Sequence, residues 1–263
     1  MTREEKETLD RDGVVLLKGL FAPERIAELL KEYLEHDALA VQRDAPKGEP
    51  IVVYWTHQVG NRKRITLLGE MPCLLEFACD VAQIVKKLVP GEALRLLETI
   101  IFNKPPKDSN VLRWHQDVSY FPFEPNNQLA VWVPFDVVTR DSGAVVYALG
   151  THRMGLKAST DLHSGTVFTG EHRAPIPANP EESGIETRCM EMKPGDMLIH
   201  DGRTWHMSGP NTTSDRQRRG LSLRFLVGTT RYKPRPGSAA AFMKQVDVQP
   251  GDLINDPAFP VLA

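Results

Sequence analysis

Apolar positions along the chain fall into two regimes. Before about residue 92 they recur at helical spacing in two long stretches; after it they come in short runs cut by turns. Residues 4–11 read as a short polar helix, and Gly13-Val14-Val15-Leu16-Leu17-Lys18 as a strand that follows a glycine. Residues 22–36 place Ile26, Leu29, Leu30 and Leu34 on one helical face, with Pro23 suited to a first turn. The polar stretch 37–50 is a loop, and 51–55 a strand. Residues 72–88 repeat the helical pattern through Leu74, Ala78, Val81 and Val85, and Pro90-Gly91 stops it.

From Ala93 onward the predicted strands are 94–103, 114–117, 128–135, 143–148, 186–192, 196–200, 204–206 and 218–227. Turn signals separate them at Asp141-Ser142-Gly143, Pro194-Gly195-Asp196 and Asp201-Gly202. Many short strands at this spacing predict a mostly β sandwich, jelly roll or barrel, with the N-terminal helices bracing one outer face. The stretch 150–183 has no period. A run that long in a compact domain is a lid or binding loop, or else a surface insertion without a role. Its place between the second and third candidate ligands favours a lid over 150–185. The expected layout is one domain, 1–263: a mainly helical brace over 1–92, a β core over 93–230 and a C-terminal tail over 231–263.

Composition narrows the function classes. The 263 residues are 41% apolar and 25% charged, with net charge −2, ordinary for a globular domain with a real core. The absence of a basic excess argues against a general nucleic-acid binder. Cys73, Cys79 and Cys189 form no C-x-x-C pair, which fits a reducing compartment. Residues 1–12 are charged rather than secretory, no apolar run is long enough to span a bilayer, and Pro260-Val261-Leu262-Ala263 is no targeting signal. The expectation is a cytoplasmic monomer or homodimer with a small-molecule substrate, and neither nucleic acid nor membrane as partner.

The candidate chemistry centres on Trp114-His115-Gln116-Asp117. A His and an Asp two apart on a strand share a face, so both can reach one metal ion. Alone this motif is weak. A third ligand is offered by His206 in Thr204-Trp205-His206-Met207-Ser208-Gly209-Pro210-Asn211. Two His and one carboxylate leave open positions, the arrangement of non-haem Fe(II) oxygenases. Arg216-Gln217-Arg218-Arg219 follows and can hold the far carboxylate of an organic-acid co-substrate. Other residues read modestly. His200 is expected to be packed or partly exposed. His57, His163 and His172 lack a ligand-spaced partner, and His152 supports either a turn or the site. Lys104, Arg113, Arg203 and Arg224 are basic residues near the inferred mouth, and Arg224 shares a strand face with Arg218.

Several ordered motifs together resemble the phytanoyl-CoA dioxygenase family of Fe(II)/2-oxoglutarate oxygenases. They are Gly13 to Leu20 with Ala22-Pro23-Glu24; Asn103-Lys104-Pro105-Pro106; His115-Gln116-Asp117 with Tyr120-Phe121-Pro122; the run from Gly143 to His152; and Pro194-Gly195-Asp196 leading to His206-x-Ser208-Gly209-x-Asn211. The resemblance implies a double-stranded β-helix, of the jelly-roll or cupin-like kind. It implies Fe(II) on His115, Asp117 and His206. It also implies 2-oxoglutarate and O2 as co-substrates, with ascorbate as reductant in assays. Arg218 with Ser208 would hold the co-substrate's C5 carboxylate, and Asn103, Trp132 and Gln116 would neighbour it. Arg218 lies one residue farther past His206 than the family spacing, which leaves Arg219 as the alternative. Alternation also points Gln116 away from its flanking ligands. Two competing readings are a non-redox metal enzyme and a ligand-binding module on the same fold. The arginine after the distal His argues against the first, and the intact ligand set against the second.

Overall fold

The computed structural model describes residues 1–40, 46–56, 64–236 and 246–263, and His57 lies outside them. Three helices come first: α1 (Arg3–Asp12), α2 (Pro23–Asp37) and α3 (Pro72–Lys86). The strands are β1 (Val14–Leu17), β2 (Ile51–Thr56), β3 (Arg64–Leu67), β4 (Leu94–Lys104), β5 (Leu112–His115), β6 (Phe123–Glu124) and β7 (Gln128–Pro134). They continue with β8 (Val145–Ala148), β9 (Thr187–Cys189), β10 (Met197–Asp201), β11 (His206–Ser208), β12 (Arg218–Val227) and β13 (Arg231–Tyr232). Among the described residues no helix is long and apolar enough to cross a membrane.

The strands form a jelly roll of two main sheets. A 7-stranded sheet has the order β1-β10-β7-β12-β4-β2-β3, and a 4-stranded sheet the order β5-β11-β8-β9. A 2-stranded ribbon, β13-β6, stands apart. The helices cover the outer face of the large sheet, as the helical spacing predicts. Ile26, Leu29 and Tyr33 of α2 and Phe77, Ala78, Val81 and Val85 of α3 pack in one cluster with Val131, Val133, Ile199, Leu221, Leu223 and Phe225. Each fully buried large side chain here contributes roughly 1.5–3 kcal/mol, and truncating Phe77 to Ala would cost about 3–5 kcal/mol. Helix α3 has no side-chain cap of its own. Glu32 of α2 supplies one, its two oxygens accepting from the Cys73 and Leu74 amides at 2.9 and 2.8 Å.

The opposite face of the large sheet meets the small sheet, and the cavity lies between them. Phe102, Trp132, Arg218, Ser222 and Arg224 line it from the large sheet; Leu112, His115, Val145, Tyr147, His206 and Ser208 line it from the small one. The segment 150–183 holds only two 3-10 turns, Thr151–Arg153 and Pro180–Ser183, and an isolated bridge between Thr160 and Val167. The C-terminal residues pack rather than trail. Val246, Ile254, Ala258 and Phe259 share a buried cluster with Leu97, Phe121, Phe123 and Leu226, and the Leu94 amide donates to the Ala263 carbonyl at 2.7 Å.

One sequence expectation needs correction. His115 and Asp117 do not share a strand. β5 ends at His115, and Asp117 opens a 3-10 turn, Asp117–Tyr120. Strand alternation therefore does not bring the two side chains together; the turn does.

Candidate metal centre and co-substrate pocket

β11 brings the far motif to the near one. It pairs antiparallel with β5, and His206 lies directly opposite His115. Their ring centroids are 4.1 Å apart. Each ring turns its Nδ1 to a backbone carbonyl two residues earlier: His115 to Arg113 at 2.7 Å, His206 to Thr204 at 2.9 Å. A carbonyl only accepts, so each Nδ1 carries the proton and each Nε2 keeps a free lone pair. Burial also holds both imidazoles below their ordinary pKa, His206 well below. Neutral, oriented imidazoles are what a metal requires. One ligand atom from each of His115, Asp117 and His206 lies within 4.8 Å of the others.

Asp117 is buried and ionised. Burial alone would raise its pKa, but Arg224, His206 and His200 outweigh it and hold the carboxyl well below the usual range. Arg224 donates to Oδ1 at 2.9 Å and reaches Glu98 with its other arm at 2.5 Å. Arg224 thus faces the site, but both of its arms are paired. His200 lies 3.2 Å from Oδ2. Sequence reasoning gave His200 only a packing role; what it missed is a long-range contact to a residue 83 positions away.

Arg218 and Arg219 separate by strand parity. Arg218 points between the sheets and is buried; Arg219 points the other way and makes a bidentate pair with Asp136. Arg218 donates to the Gly143 carbonyl at 2.8 Å and to Ser208 Oγ at 3.1 Å. Ser208 in turn donates to the same carbonyl at 3.0 Å. The Arg218 Nε is buried and has no partner, and among the described residues no carboxylate pairs with this guanidinium. Burial pulls its pKa down to about 10. A buried cation resting on neutral carbonyls, with a hydroxyl beside it, fits an incoming carboxylate. Trp132 lies under it, its ring 5.0 Å from the guanidinium carbon. Gly220 makes room for that ring, since a Cβ there would sit 2.2 Å from Trp132 Cζ2.

Two expected pocket residues stand elsewhere. Asn103 pairs in register with Arg219, so it faces away from the cavity; Phe102 and Lys104 take the inner face of β4. Gln116 is turned from the ligands, as alternation suggested. Its amide donates to the Gly155 and Arg203 carbonyls at 3.3 and 2.9 Å, and its oxygen accepts from the Lys157 amide and the Ser119 hydroxyl at 2.6 and 3.0 Å. It tethers the segment 150–183 instead of touching the pocket. Tyr120 adds a second tether, donating to the Thr160 carbonyl at 2.8 Å. The other basic residues do not converge on the centre. Arg113 donates to the His163 carbonyl at 2.7 Å, and Arg203 to Asn127 at 2.9 Å. His152 braces α1 through the Asp10 carbonyl at 3.2 Å.

The family model for phytanoyl-CoA dioxygenase matches residues 9–220. The chain belongs to the phytanoyl-CoA dioxygenase family. Similar proteins include a probable alpha-ketoglutarate-dependent hypophosphite dioxygenase of Stutzerimonas stutzeri, 26% identical over 82% of this chain and 75% of that protein. A probable phytanoyl-CoA dioxygenase of Caenorhabditis elegans is 29% identical over 81% of this chain and 72% of its own length. Among solved structures, the epimerase SnoN in complex with Fe3+, alpha ketoglutarate and nogalamycin RO superposes with a TM-score of 0.73 at 22% identity, covering 99% of this chain and 98% of that one. The carbocyclase SnoK reaches 0.72 at 20% identity, covering 100% and 97%. These structural matches establish the jelly-roll fold of this family member.

Proposed function

We propose that this dioxygenase-family protein is a non-haem Fe(II)/2-oxoglutarate-dependent oxygenase that hydroxylates a small-molecule metabolite. The observation that carries the reading is the conjunction of two features in one cavity. His115, Asp117 and His206 converge with both Nε2 lone pairs free, and Arg218 lies in the same cavity, buried and, among the described residues, without a carboxylate partner. A non-redox metal enzyme needs the first feature but not the second. A ligand-binding module needs neither the oriented imidazoles nor the ionised Asp117. The names of the similar proteins support the same class.

Bound iron would supply the oxidising chemistry that couples O2 and 2-oxoglutarate to oxidation of a substrate. The chain's own residues do the rest. His115, Asp117 and His206 would hold the metal. Arg218 takes the C5 carboxylate in a two-pronged charge-assisted contact, and Ser208 adds its hydroxyl. Trp132 supports the guanidinium from below. Phe102, Leu112, Val145 and Met207 keep water from the space between them. Leu156, Leu162, Val167 and Phe168, among Thr, Ser and His in the segment 150–183, suit a substrate with both apolar and polar parts. Phe168 lies edge-on to Tyr120, and Tyr120 edge-on to His115, so this segment covers the substrate side of the centre. The three unpaired cysteines favour a reducing compartment, and we place the protein in the cytoplasm.

The test is succinate formation from 2-oxoglutarate with Fe(II) and ascorbate, stimulated by fractions of a metabolite extract. The wild type should show coupled turnover, and His115→Ala, Asp117→Ala and His206→Ala should each abolish it while remaining folded. Wild-type turnover in any one of the three would remove that residue from the ligand set. A wild-type protein that forms no succinate under any fraction would reject the reading.

A further inference from the structure

We infer that His200 is a positioning residue that fixes the Asp117 carboxylate for metal binding, without itself being a ligand. The inference rests on the metal-centre reading above. Asp117 stands in a 3-10 turn, so no strand pleat fixes the direction of its side chain. Its orientation is set instead from the large sheet, one group to each oxygen. Oδ2 faces His200 Nε2 at 3.2 Å, and Oδ1 accepts from Arg224 at 2.9 Å.

The proton positions along this chain follow from donor chemistry. An ionised carboxylate only accepts, so His200 Nε2 must carry a proton. Its Nδ1 is then an acceptor, and the Tyr147 hydroxyl, 3.2 Å away, is the donor. Tyr147 therefore fixes the His200 tautomer, and His200 fixes Asp117. With its Nε2 proton on Oδ2 and its Nδ1 lone pair on Tyr147, His200 has no lone pair left for a metal. That holds although its ring centroid is only 4.7 Å from that of His206. The large sheet thus holds both oxygens, and Oδ1 is the one that also lies on the His206 side, 3.8 Å from His206 Nε2. Both His200 and Tyr147 are buried, so solvent does not stand in for either contact.

Partners that orient a metal ligand from outside typically govern about 10–100-fold in metal affinity. Co(II) is the probe, titrated anaerobically into metal-free protein and followed by its visible absorption. His200→Leu should bind Co(II) about 10–100-fold more weakly than wild type. His200→Gln keeps an N–H donor at similar reach and should recover most of the loss. If His200→Leu fails to fold, the double variant Tyr147→Phe/His200→Leu, which strands no hydroxyl, serves in the same comparison. Co(II) binding as tight as wild type in the leucine variant overturns the inference. So does a glutamine variant no better than leucine, because packing alone would explain that. A wild type that takes up no Co(II) would reject the metal-centre reading itself, which is a separate result.

Discussion

Arg218 turns inward from β12 to the Gly143 carbonyl and Ser208, while its neighbour Arg219 turns outward to Asp136. One is a buried cation resting on neutral oxygens; the other is paired with a carboxylate. Losing a bidentate, desolvated contact to a carboxylate costs on the order of 3 kcal/mol, around a hundredfold in affinity. Arg218→Lys should therefore raise the 2-oxoglutarate concentration needed for half-maximal succinate formation by about that factor. Arg219→Lys should leave it nearly unchanged, because that guanidinium faces away from the cavity in a bidentate pair with Asp136. The reverse pattern would move the co-substrate to the Arg219 face and overturn the assignment to Arg218. Gly220 offers a second test. An alanine Cβ would meet the Trp132 ring at 2.2 Å, so Gly220→Ala should lower the urea midpoint by the equivalent of about 1–3 kcal/mol. An unchanged midpoint would mean that Trp132 is free to move. Strand parity made the inward direction of Arg218 legible in the sequence, because Gly220 and Ser222 share its face while Leu221, Leu223 and Phe225 take the other. Asn103 was misplaced because a motif match carries no parity; pairing with Arg219 puts it on the outer face.

Among the elements, the three helices and the long strands β4, β7 and β12 fall where the apolar periods put them. β3, with 4 residues, and β6 and β13, with 2 each, are too short to show a period. The turn at Asp117–Tyr120 was hidden for a different reason: a His-x-Asp spacing fits a strand and a turn equally well. This junction also does more than hold a ligand. Gln116, between the two ligands, engages the backbone of the segment 150–183 at Gly155 and Lys157. The candidate metal centre and this segment are thus joined through Gln116, with Tyr120 as the second tether. Gln116→Leu should speed amide hydrogen exchange at Lys157, whose N–H donates to the Gln116 oxygen. Protease cleavage within 150–168 should rise as well. Iron, 2-oxoglutarate and substrate together should slow cleavage in the wild type if the segment closes over them. Equal cleavage in every state would leave it a static cover.

At the scale of the molecule, the jelly roll encloses its charges between two sheets, and Lys104 is the one most exposed to pH. Its side chain is fully buried, with Nζ near the carbonyls of Asn110 and Ser208 at 3.1 and 3.4 Å and of Gly209. Nothing in its sequence neighbourhood predicted this, since a lysine before Pro105-Pro106 reads as a solvated loop residue; only the pairing of β4 with β12 carries it inward beside Arg218. Burial, with the Arg218 charge nearby, lowers its pKa from 10.5 to about 7, against a smaller pull upward from Asp108. The unfolded chain therefore binds one more proton than the folded one between about pH 7 and 10.5. Stability due to this group is lowest below pH 7 and rises with pH through that window. At ~1.4 kcal/mol per pKa unit the full rise amounts to several kcal/mol. Cys73 and Cys189, whose thiols burial pushes up, act in the opposite sense above their ordinary pKa, because there the folded state keeps the extra proton. The contribution of Lys104 is isolated by comparison with Lys104→Met, which has both thiols but no titrating amine. Urea unfolding of the metal-free proteins at pH 6 and pH 9.5 should show wild type gaining on the variant by several kcal/mol at the higher pH. A constant difference between the two would mean that the three carbonyls keep Lys104 charged throughout, and that its role is to pin the end of β11 in place.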